Sequence, residues 1–394
     1  MRDTNIKELN IIPEQHASGI YELVEWETVY SEMSEGDRRF INGLIQYYMP
    51  ERVLELGVSA GGGTVNILNS LINTDNNDWK LFSIDSMTSY YRNVELPVGY
   101  CAIERYSDKL SNSWVLIAGG DPAREMESIG EKFDFCVLDT DHRHPIETIN
   151  FISILPWLKD GAIVVTHDTS LFAMRWEPSY HKMFAPRLLL SVVCAEKLIP
   201  NLPSWTLTAS NIAAWQVSQD TRKYCQNLFD ILYFPWEVNV SIELLESIGD
   251  LVKQHYGSEM LYFFHEAARI NKAMLLANAN GVLSLEQAMD SLESDTVIYG
   301  AGAVLQQLMK DLLYVGIEFN FPIWDIDAES INEIEGYRVL VPDFETPAKP
   351  DQSMIITIEN EEVAKEVRNQ FEPLGYRVFH GLKSYFTSKS HNIQ

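Results

Sequence analysis

The sequence contains few cysteines. None of them belongs to a CxxC pair: the four are Cys101, Cys136, Cys194 and Cys225. Cys136 lies within an apolar segment, where a buried thiol is the usual state. We therefore expect neither disulfides nor a zinc site.

Long apolar runs are also missing. No stretch approaches the roughly 20 residues that a membrane helix needs. The first ten residues, MRDTNIKELN, lack the apolar core of a secretory signal. We expect a cytoplasmic protein that does not bind membranes.

Basic residues are scarce relative to acidic ones. Thirty Lys and Arg against 56 Asp and Glu give a formal net charge of −26, which repels nucleic-acid phosphates and anionic lipids. Neither is an expected partner. A chain of 394 residues, 46% of them hydrophobic, can bury more than one core, so we expect at least two domains.

Between residues 38 and 168, apolar segments that favour strands alternate with segments that favour helices. The strand segments are RVLELG, KLFSID, WVLIAG, FDFCVLD and AIVVTHD. This alternation predicts βα units, and such uniformly apolar strands predict a parallel sheet covered on both faces. Ligands of these sheets bind at the carboxyl ends of the strands.

Three further parts follow. WTLTASNIAAWQVS at 205–218 predicts a hairpin at the sheet edge, apolar spacing predicts helices over 221–290, and βα units resume at 295. The predicted fold is α/β, with a Rossmann-like doubly wound sheet and a second, smaller Rossmann-like domain. Its predicted parts are an N-terminal extension at 1–35, the first domain at 36–220, a helical connector at 221–293 and the small domain at 294–394.

The turn after the first predicted strand is rich in glycine. RVLELGVSAGGGTVNIL places Gly57, Gly61 and Gly62 between a strand and a helix. Glycines there allow positive φ and close approach of a ligand to the backbone, beside the unpaired N–H groups of a helix N-terminus. An anionic or carboxylate-bearing ligand fits this turn, and a purely structural βα turn is the alternative.

Two acidic residues follow the next strands. Asp85 ends the second strand, where a carboxylate can accept hydrogen bonds from ribose hydroxyls. Asp121 follows the third strand, where it either meets an adenine edge or caps the next helix.

The segment ELGVSAGG resembles motif I of class I S-adenosylmethionine-dependent methyltransferases, E/D-x-G-x-G-x-G, with Ser59 replacing the middle glycine. The resemblance covers roughly residues 36–218, including the edge hairpin typical of that fold. It implies that S-adenosylmethionine is the cofactor, with Asp85 on the ribose and Asp121 on the adenine side. The implied cofactor-binding residues are Glu55, Gly57, Ser59, Gly61, Gly62, Asp85 and Asp121.

Carboxylates also follow the fourth and fifth predicted strands. Asp139 comes after FCVL and Asp168 after AIVVT. If these strands are adjacent, their ends lie about 4.8 Å apart. One divalent cation could then bind both carboxylates, and Mg²⁺ prefers such oxygen ligands. His167 or Asp141 would complete its ligand shell.

His142 lies three residues after Asp139, so the chain can turn over the strand end and place the imidazole beside a bound metal. An imidazole at that position can take a proton from an acceptor hydroxyl near neutral pH. His144, which precedes Pro145, instead fits the start of a helix.

The pattern D-x-D-H followed by H-D is similar to metal-dependent O-methyltransferases of this fold, notably the macrolide-sugar O-methyltransferases, and to cephalosporin-hydroxylase-like relatives. The former resemblance implies metal ligation by Asp139, His167 and Asp168, with His142 as the base. This chain has D-T-D-H where many relatives have D-G-D-H, and His167 where the sugar enzymes have an acidic residue.

The second domain begins with TVIYGAGAVLQQL, which resembles a nucleotide-binding turn with Leu305 in place of the third glycine of G-x-G-x-x-G. Asp325 stands where a ribose-binding acid would stand. Because leucine hinders close helix packing at a pyrophosphate, a structural, dimerising or substrate-presenting role is favoured over a cofactor site. In the first domain, Trp176 and Tyr180 could cover a sugar ring, or belong to a helix core or an oligomer contact.

The sequence therefore predicts an S-adenosylmethionine-dependent O-methyltransferase, assisted by Mg²⁺, that acts on a hydroxyl of a small sugar-containing acceptor. Two alternatives stay open. One is a metal-dependent hydroxylase or oxygenase that uses His142, His167 and a carboxylate, and the other is a non-catalytic nucleotide-binding protein.

Overall fold

A computed structural model of the chain describes residues 6–8, 31–107, 109–174, 178–200 and 210–390, with only the backbone for 6–8 and 389–390. The chain forms two compact units. The first comprises Met1–Val238 and Leu244–Phe264, and the second comprises Asn239–Glu243 and His265–Gln394.

The first unit is built around an eight-stranded sheet. In chain order the strands are β1 (Ile6–Glu8), β2 (Arg52–Leu56), β3 (Lys80–Asp85), β4 (Ser89–Tyr90), β5 (Asn93–Pro97), β6 (Trp114–Ala118), β7 (Phe133–Leu138), β8 (Leu158–Thr166), β9 (Glu196–Ile199) and β10 (Ala213–Gln216). The sheet order is β1-β9-β10-β8-β7-β2-β3-β6, and β4 pairs only with β5. All neighbours in the large sheet are parallel except at β10, which is antiparallel to β8 and β9.

The helices in the chain up to residue 279 connect these strands and extend into the second unit. They are α1 (Glu35–Tyr48), α2 (Gly62–Ile72), α3 (Tyr100–Tyr106), α4 (Pro122–Ile129), α5 (Ile146–Ile154), α6 (Ala185–Val192), α7 (Gln219–Lys223), α8 (Gln226–Asp230), α9 (Ile242–His255) and α10 (Ser258–Ala279). None of the helices among the described residues is long and apolar enough to cross a membrane.

The strands form because their side chains are apolar and can be buried on both faces of the sheet. Val53, Phe135 and Val165 lie on three neighbouring strands and are almost completely buried in one core. The five segments predicted as strands between residues 38 and 168 are confirmed as β2, β3, β6, β7 and β8. The predicted Rossmann-like doubly wound sheet is confirmed as well.

The register brings the carboxyl ends of β2, β7 and β8 side by side. Leu56 pairs with Leu138, and Leu138 pairs with Thr166. The next residues continue the ladder: the N–H of Asp139 donates to the carbonyl of Leu56, and the N–H of His167 donates to that of Leu138. Residues that follow these three strands therefore meet at one edge of the sheet.

The predicted edge hairpin is only partly described. Its second strand is β10, within the predicted segment, and β10 pairs with β9 at Glu196–Ile199. The predicted first strand, WTLT at 205–208, lies outside the described residues. The sequence pattern missed β9 because the four residues EKLI carry only two apolar side chains in a row.

The second unit contains a six-stranded sheet of order β13-β14-β12-β11-β15-β16, parallel except for the β13–β14 pair. Its first strand lies in the middle of the sheet, and the chain continues to one side before it crosses to the other. The strands are β11 (Val297–Tyr299), β12 (Ile323–Trp324), β13 (Glu333–Ile334), β14 (Tyr337–Leu340), β15 (Ser353–Ile356) and β16 (Arg377–His380).

Helices cover both faces of this second sheet, and each face has its own hydrophobic core. Leu305 is completely buried in the first of these cores, as expected for an apolar residue in place of a glycine. The helices are α11 (Leu285–Asp290), α12 (Ala303–Tyr314), α13 (Ala328–Ile331), α14 (Glu361–Phe371) and α15 (Gly381–Ser390).

The division between the units differs from the predicted boundaries. The connector predicted at 221–293 is not a unit of its own: the division falls inside α10, after Phe264, and Asn239–Glu243 belong to the second unit. Apolar spacing identified the helices, but it carries no information about which core a helix packs against.

Candidate functional site

Two glycines in the turn between β2 and α2 adopt backbone conformations that disfavour other residues. Gly57 has a φ of 87°, and a Cβ there would lie 1.9 Å from the carbonyl oxygen of Asp139. Gly61, with a φ of 93°, lies so close to Gly99 that a Cβ would meet its Cα at 2.9 Å. The turn therefore packs directly against the backbone that follows β7. Gly62, the first residue of α2, presents a helix N-terminus at the same turn.

Asp85 holds this turn from the end of β3. Its Oδ2 accepts hydrogen bonds from the N–H groups of Val58 and Ser59, at 2.8 and 3.0 Å. Ser59 replaces a glycine of the motif and has a φ of 52°. Its buried Oγ has no hydrogen-bond partner among the described residues. An unpartnered hydroxyl inside a glycine turn fits a site that a polar ligand completes.

Glu55 lies beneath the turn, and its contact with a cofactor stays a prediction. The side chain is 2% exposed, and its carboxyl group accepts hydrogen bonds from the hydroxyls of Thr64 and Ser83. Burial raises the pKa of Glu55 to about 8. Glu55 thus supports the turn from inside the protein.

Asp121 caps α4, which was one of the two predicted possibilities. Its Oδ1 accepts a hydrogen bond from the N–H of Ala123 at 2.9 Å, and burial raises the pKa of its carboxyl group. A contact between Asp121 and an adenine edge stays a prediction.

Three predicted site residues converge at the ends of β7 and β8. One potential ligand atom from each of Asp139, His142 and Asp168 lies within 4.8 Å of the other two, and all three residues are half-buried. Nε2 of His142 lies 3.2 Å from Oδ2 of Asp168 and 3.9 Å from Oδ1 of Asp139. Two carboxylates and an imidazole at this spacing fit the coordination shell of a divalent cation.

Glu147, on α5, fixes His142. The N–H of His142 donates to Oε1 of Glu147 at 2.6 Å, and the ring Nδ1 lies 3.5 Å from the same oxygen. Burial opposes protonation of the ring, but the carboxylates of Asp168, Glu147 and Asp139 outweigh it and raise the pKa of His142 to about 9.

His167 is buried between carboxylates. Its Nδ1 lies 3.2 Å from Oδ1 of Asp139 and 3.5 Å from Oδ1 of Asp168, while its Nε2 lies 3.4 Å from Oδ2 of Asp37 on α1. Burial opposes protonation, but these acids raise the pKa of His167 well above its usual value. Both ring nitrogens therefore face carboxylate oxygens, an arrangement suited to holding Asp139 in place.

Asp168 is oriented by Asn211, which lies just before β10. The amide of Asn211 donates to Oδ1 of Asp168 at 2.7 Å. Burial raises the pKa of Asp168, but the neighbouring His167 and His142 reverse this and lower it. Asp168 is therefore an ionised carboxylate near neutral pH.

The other polar residues of the VLDTDHRH segment lie outside this cluster. Both carboxylate oxygens of Asp141 pair with the guanidinium of Arg143, so Asp141 does not complete the cluster as proposed for a metal shell. His144 is completely buried, stacks on Phe184 and has its pKa lowered to about 4 by burial. It is a neutral core residue.

The sequence analysis missed three residues that position the cluster: Asp37, Glu147 and Asn211. Asp37 carries a helix-capping signal, because Ser34 and Asp37 form a capping box at the start of α1. That signal predicts a helix start and gives no indication of a contact with His167. Glu147 and Asn211 carry no signal that separates them from other helix-start or loop residues.

The two aromatic residues predicted to cover a sugar ring are only partly described. Tyr180 lies half-buried in a 3-10 helix at Pro178–Lys182, and Trp176 lies outside the described residues.

The family described as "Methyltransferase domain" matches residues 54–169. The matched segment begins in β2, contains the glycine turn and ends one residue after Asp168. It thus contains all the predicted cofactor-binding, catalytic and metal-binding residues, from Glu55 to Asp168.

Several solved structures are similar to part of the chain. The O-methyltransferase from Bacillus cereus in complex with SAH is 16% identical and covers 53% of this chain and 93% of its own, with a TM-score of 0.35. The O-methyltransferase TomG from Streptomyces achromogenes, in complex with SAM, is 14% identical over 54% of this chain and 92% of its own, with a TM-score of 0.36.

The SAH-bound methyltransferase PaMTH1 from Podospora anserina is 12% identical and covers 55% of this chain and 91% of its own, with a TM-score of 0.37. No curated protein matches the chain significantly. The family match shows that residues 54–169 of the first unit resemble a methyltransferase domain, and the glycine turn lies inside the matched segment.

Proposed function

We propose that this protein transfers the methyl group of S-adenosylmethionine to a hydroxyl oxygen of a small sugar-containing acceptor, with Mg²⁺ bound by Asp139 and Asp168 and with His142 beside them as the base. The observation that carries the proposal is the contact between the two halves of the site. Gly57 lies against the carbonyl of Asp139, so the glycine turn and the cluster share one edge of the sheet.

S-adenosylmethionine, when bound, supplies a methyl group on a positively charged sulfur. The chain's own residues bind and orient it. Gly57 and Gly61 keep the turn free of side chains, and Asp85 lies at the end of β3, where a carboxylate can accept hydrogen bonds from ribose hydroxyls. The buried Oγ of Ser59 has no partner among the described residues and is free to bond to the cofactor.

A divalent cation, when bound, makes an alcohol hydroxyl more acidic. Asp139 and Asp168 offer the hard oxygen ligands that Mg²⁺ prefers, and Nε2 of His142 lies beside both. In this proposal His167 holds Asp139 rather than the cation, because both of its ring nitrogens already face carboxylates.

His142 takes the proton of the acceptor hydroxyl at Nε2. The hydroxyl oxygen forms a bond to the methyl carbon, the bond between that carbon and sulfur breaks, and the sulfur leaves as a neutral thioether. The carboxylates that raise the pKa of His142 to about 9 keep the ring protonated near neutral pH. Positive charge beside Asp139 and Asp168 would offset them and release Nε2 for proton transfer.

The acceptor class rests on the resemblance of D-T-D-H and H-D to the sugar O-methyltransferases. The family match supports methyl transfer over the hydroxylase and the non-catalytic alternatives. Nucleic acid stays an unfavourable substrate because the chain carries a formal charge of −26.

Calorimetry with S-adenosylmethionine, followed by methyl transfer to a panel of sugar-containing alcohols with and without EDTA, tests the proposal. We expect binding of S-adenosylmethionine in wild type, and EDTA-sensitive turnover. His142→Ala and Asp168→Asn should lose turnover by about a hundredfold or more while they keep the cofactor. The matched control is Asp141→Asn, in the same loop but paired with Arg143, which should keep full activity.

Folded protein that does not bind S-adenosylmethionine would refute the proposal as a whole. Full turnover in EDTA would show that the reaction needs no divalent cation. Full turnover of His142→Ala would show that His142 is not the base. Methyl transfer to a carbon or nitrogen atom alone would show that the acceptor group is not a hydroxyl.

A further inference from the structure

The second unit contains a cavity of about 300 Å³ at the carboxyl ends of β15 and β16. In this sheet the chain crosses from one side of β11 to the other before β15. Open α/β sheets bind ligands at such a crossover, outside the carboxyl ends of the strands. The cavity therefore lies where the topology of the second unit favours a ligand.

Aliphatic side chains form the walls of this cavity. Val304 and Leu308 come from α12, Ile356 and Ile358 from the end of β15, and Leu382 from α15. Val304 is 38% exposed although it is apolar. A ligand with an aliphatic body would bury this surface.

The polar side chains that line the cavity donate their hydrogen bonds to groups within the protein. The amide of Asn280 donates to a carbonyl of its own helix, and the hydroxyl of Thr357 donates to a carbonyl at the end of β11. Nε2 of His380 lies 2.7 Å from the carbonyl oxygen of Ile358. Because a carbonyl can only accept, Nε2 of His380 carries a hydrogen.

Two side chains of the lining offer acceptors to a ligand. They are the amide oxygen of Asn280 and the carboxylate of Glu359, which is exposed. A ligand that donates hydrogen bonds complements this set.

The charge of the rim also favours a cationic ligand. The lining contains no Lys or Arg among the described residues, and the exposed acids Glu359, Glu361 and Glu362 follow β15 directly. A phosphate would be repelled there. In the turn after β11, the N–H of Ala301 already donates to Oδ2 of Asp325 at 2.6 Å, so this amide is not available to a pyrophosphate.

We propose that this cavity binds a small organic amine with an aliphatic body, the ammonium group lying against Glu359 and the body against Val304 and Leu308. This binding is independent of methyl transfer and involves residues of the second unit alone. An amine has the opposite charge to the dinucleotide that the glycine pattern TVIYGAG suggests.

Three compounds with the same ring and different charges test the proposal on the full chain: cyclohexylamine, cyclohexanol and cyclohexanecarboxylate. Their binding is measured at neutral pH by saturation-transfer NMR and by titration. We expect cyclohexylamine to bind most tightly and the carboxylate most weakly. Glu359→Gln should weaken the amine about fivefold and leave cyclohexanol unchanged, as expected for the loss of one exposed ion pair.

Two further variants complete the design. Glu329→Gln, on α13, removes the same charge outside the lining and should change nothing. Val304→Phe places a larger side chain in the wall of the cavity and should abolish binding of the amine and the alcohol. Retained S-adenosylmethionine binding in each variant shows that the first unit is intact, so a failure here is distinct from a failure of the proposed methyl transfer.

Equal affinity for the amine and the carboxylate would overturn the proposal, as would amine binding that survives Val304→Phe. Binding of NAD⁺ that is stronger than that of the amine and lost in Val304→Phe would assign the cavity to a dinucleotide instead.

Discussion

His142 and Asp168 have unusual backbone conformations. Their φ values are 66° and 56°, in a region where non-glycine residues are uncommon and cost on the order of 1–3 kcal/mol each. Glu147 holds the N–H of His142, and Asn211 holds the carboxylate of Asp168. Such strain persists only when the surroundings fix it, which supports the cluster as a functional site.

Asp37 is expected to affect turnover through His167. Asp37→Asn removes the carboxylate 3.4 Å from Nε2 of His167, and with it the restraint on Asp139. Because loss of such supporting contacts typically costs 10–100-fold, we expect kcat to fall roughly tenfold while the Kd for S-adenosylmethionine stays unchanged. Steady-state kinetics and calorimetry measure both quantities.

Ser34→Ala provides the control for Asp37. Ser34 and Asp37 cap α1 together. Each variant should therefore weaken the start of the helix and lower the stability of the protein by about 1 kcal/mol. Only Asp37→Asn changes the surroundings of His167. Equal losses of kcat in the two variants would show that Asp37 acts only through the helix.

At the scale of elements, the turn between β2 and α2 links the proposed cofactor and cation sites. Gly57→Ala would place a methyl group 1.9 Å from the carbonyl oxygen of Asp139, at a φ of 87°. We expect loss of S-adenosylmethionine binding and at least about 2 kcal/mol of stability, since the strain is in the backbone itself. Calorimetry and urea unfolding measure these effects.

The matched control for Gly57 is Gly63→Ala, at the second residue of α2. A Cβ at Gly63 would lie 3.4 Å from Oε1 of Glu55, an ordinary contact, and alanine favours a helix over glycine by up to about 1 kcal/mol. Gly63→Ala should therefore keep binding and stability. If it failed like Gly57→Ala, flexibility of the whole turn would be the cause rather than its contact with Asp139.

Glu55 gives strand β2 a pH-dependent stability. Its pKa rises from 4.5 to about 8 on folding, so the folded state binds more protons than the unfolded state between these values. The free energy of unfolding contributed by Glu55 is therefore highest below pH 4.5 and is lost as pH rises through about 8, by at most about 5 kcal/mol.

Glu55→Gln should remove this dependence, because glutamine keeps an acceptor for Ser83 and Thr64 and has no charge to bury. Urea unfolding at pH 6 and pH 9 should show a smaller loss of stability in the variant than in wild type. The exposed Glu51→Gln is the control and should follow wild type. Parallel pH profiles of Glu55→Gln and wild type would contradict a buried, protonated Glu55.

The sequence predicted the elements better than their contacts. The sequence was enough to predict the apolar strands and the carboxylates at their ends, Asp139 and Asp168, because sheet geometry places strand ends together. The contact between Asp37 and His167 spans 130 positions, and no periodicity predicts which helix start lies over which strand end. Glu55 satisfied the motif pattern, but its burial depends on Ser83 from the neighbouring strand.

For the whole molecule, the hydrophobic clusters of the two units consist of different residues. In the second unit, Nζ of Lys272 lies 2.9 Å from both Asp311 Oδ1 and Asn239 Oδ1, and Lys272 is 1% exposed. Through these two contacts, Lys272 joins α10 to α12 and to the short segment at Asn239–Glu243. Such a buried ammonium tolerates loss of its partner poorly.

Calorimetric unfolding of the full chain should therefore separate the two units. S-adenosylmethionine at 100 times its Kd should raise the transition of the first unit, by about 2.7 kcal/mol of stability. Asp311→Ala leaves the ammonium of Lys272 buried without its carboxylate and should lower the other transition, by about 3–5 kcal/mol.

Glu266→Ala removes the partner of Arg269 in a partly exposed pair and should cost less than about 1 kcal/mol. Because each change lies inside one unit, the ligand and Asp311→Ala should move different transitions. A single transition moved by both would mean that the units fold as one cooperative structure. In that case, substitutions in the second unit would also lower the population of protein competent to bind S-adenosylmethionine.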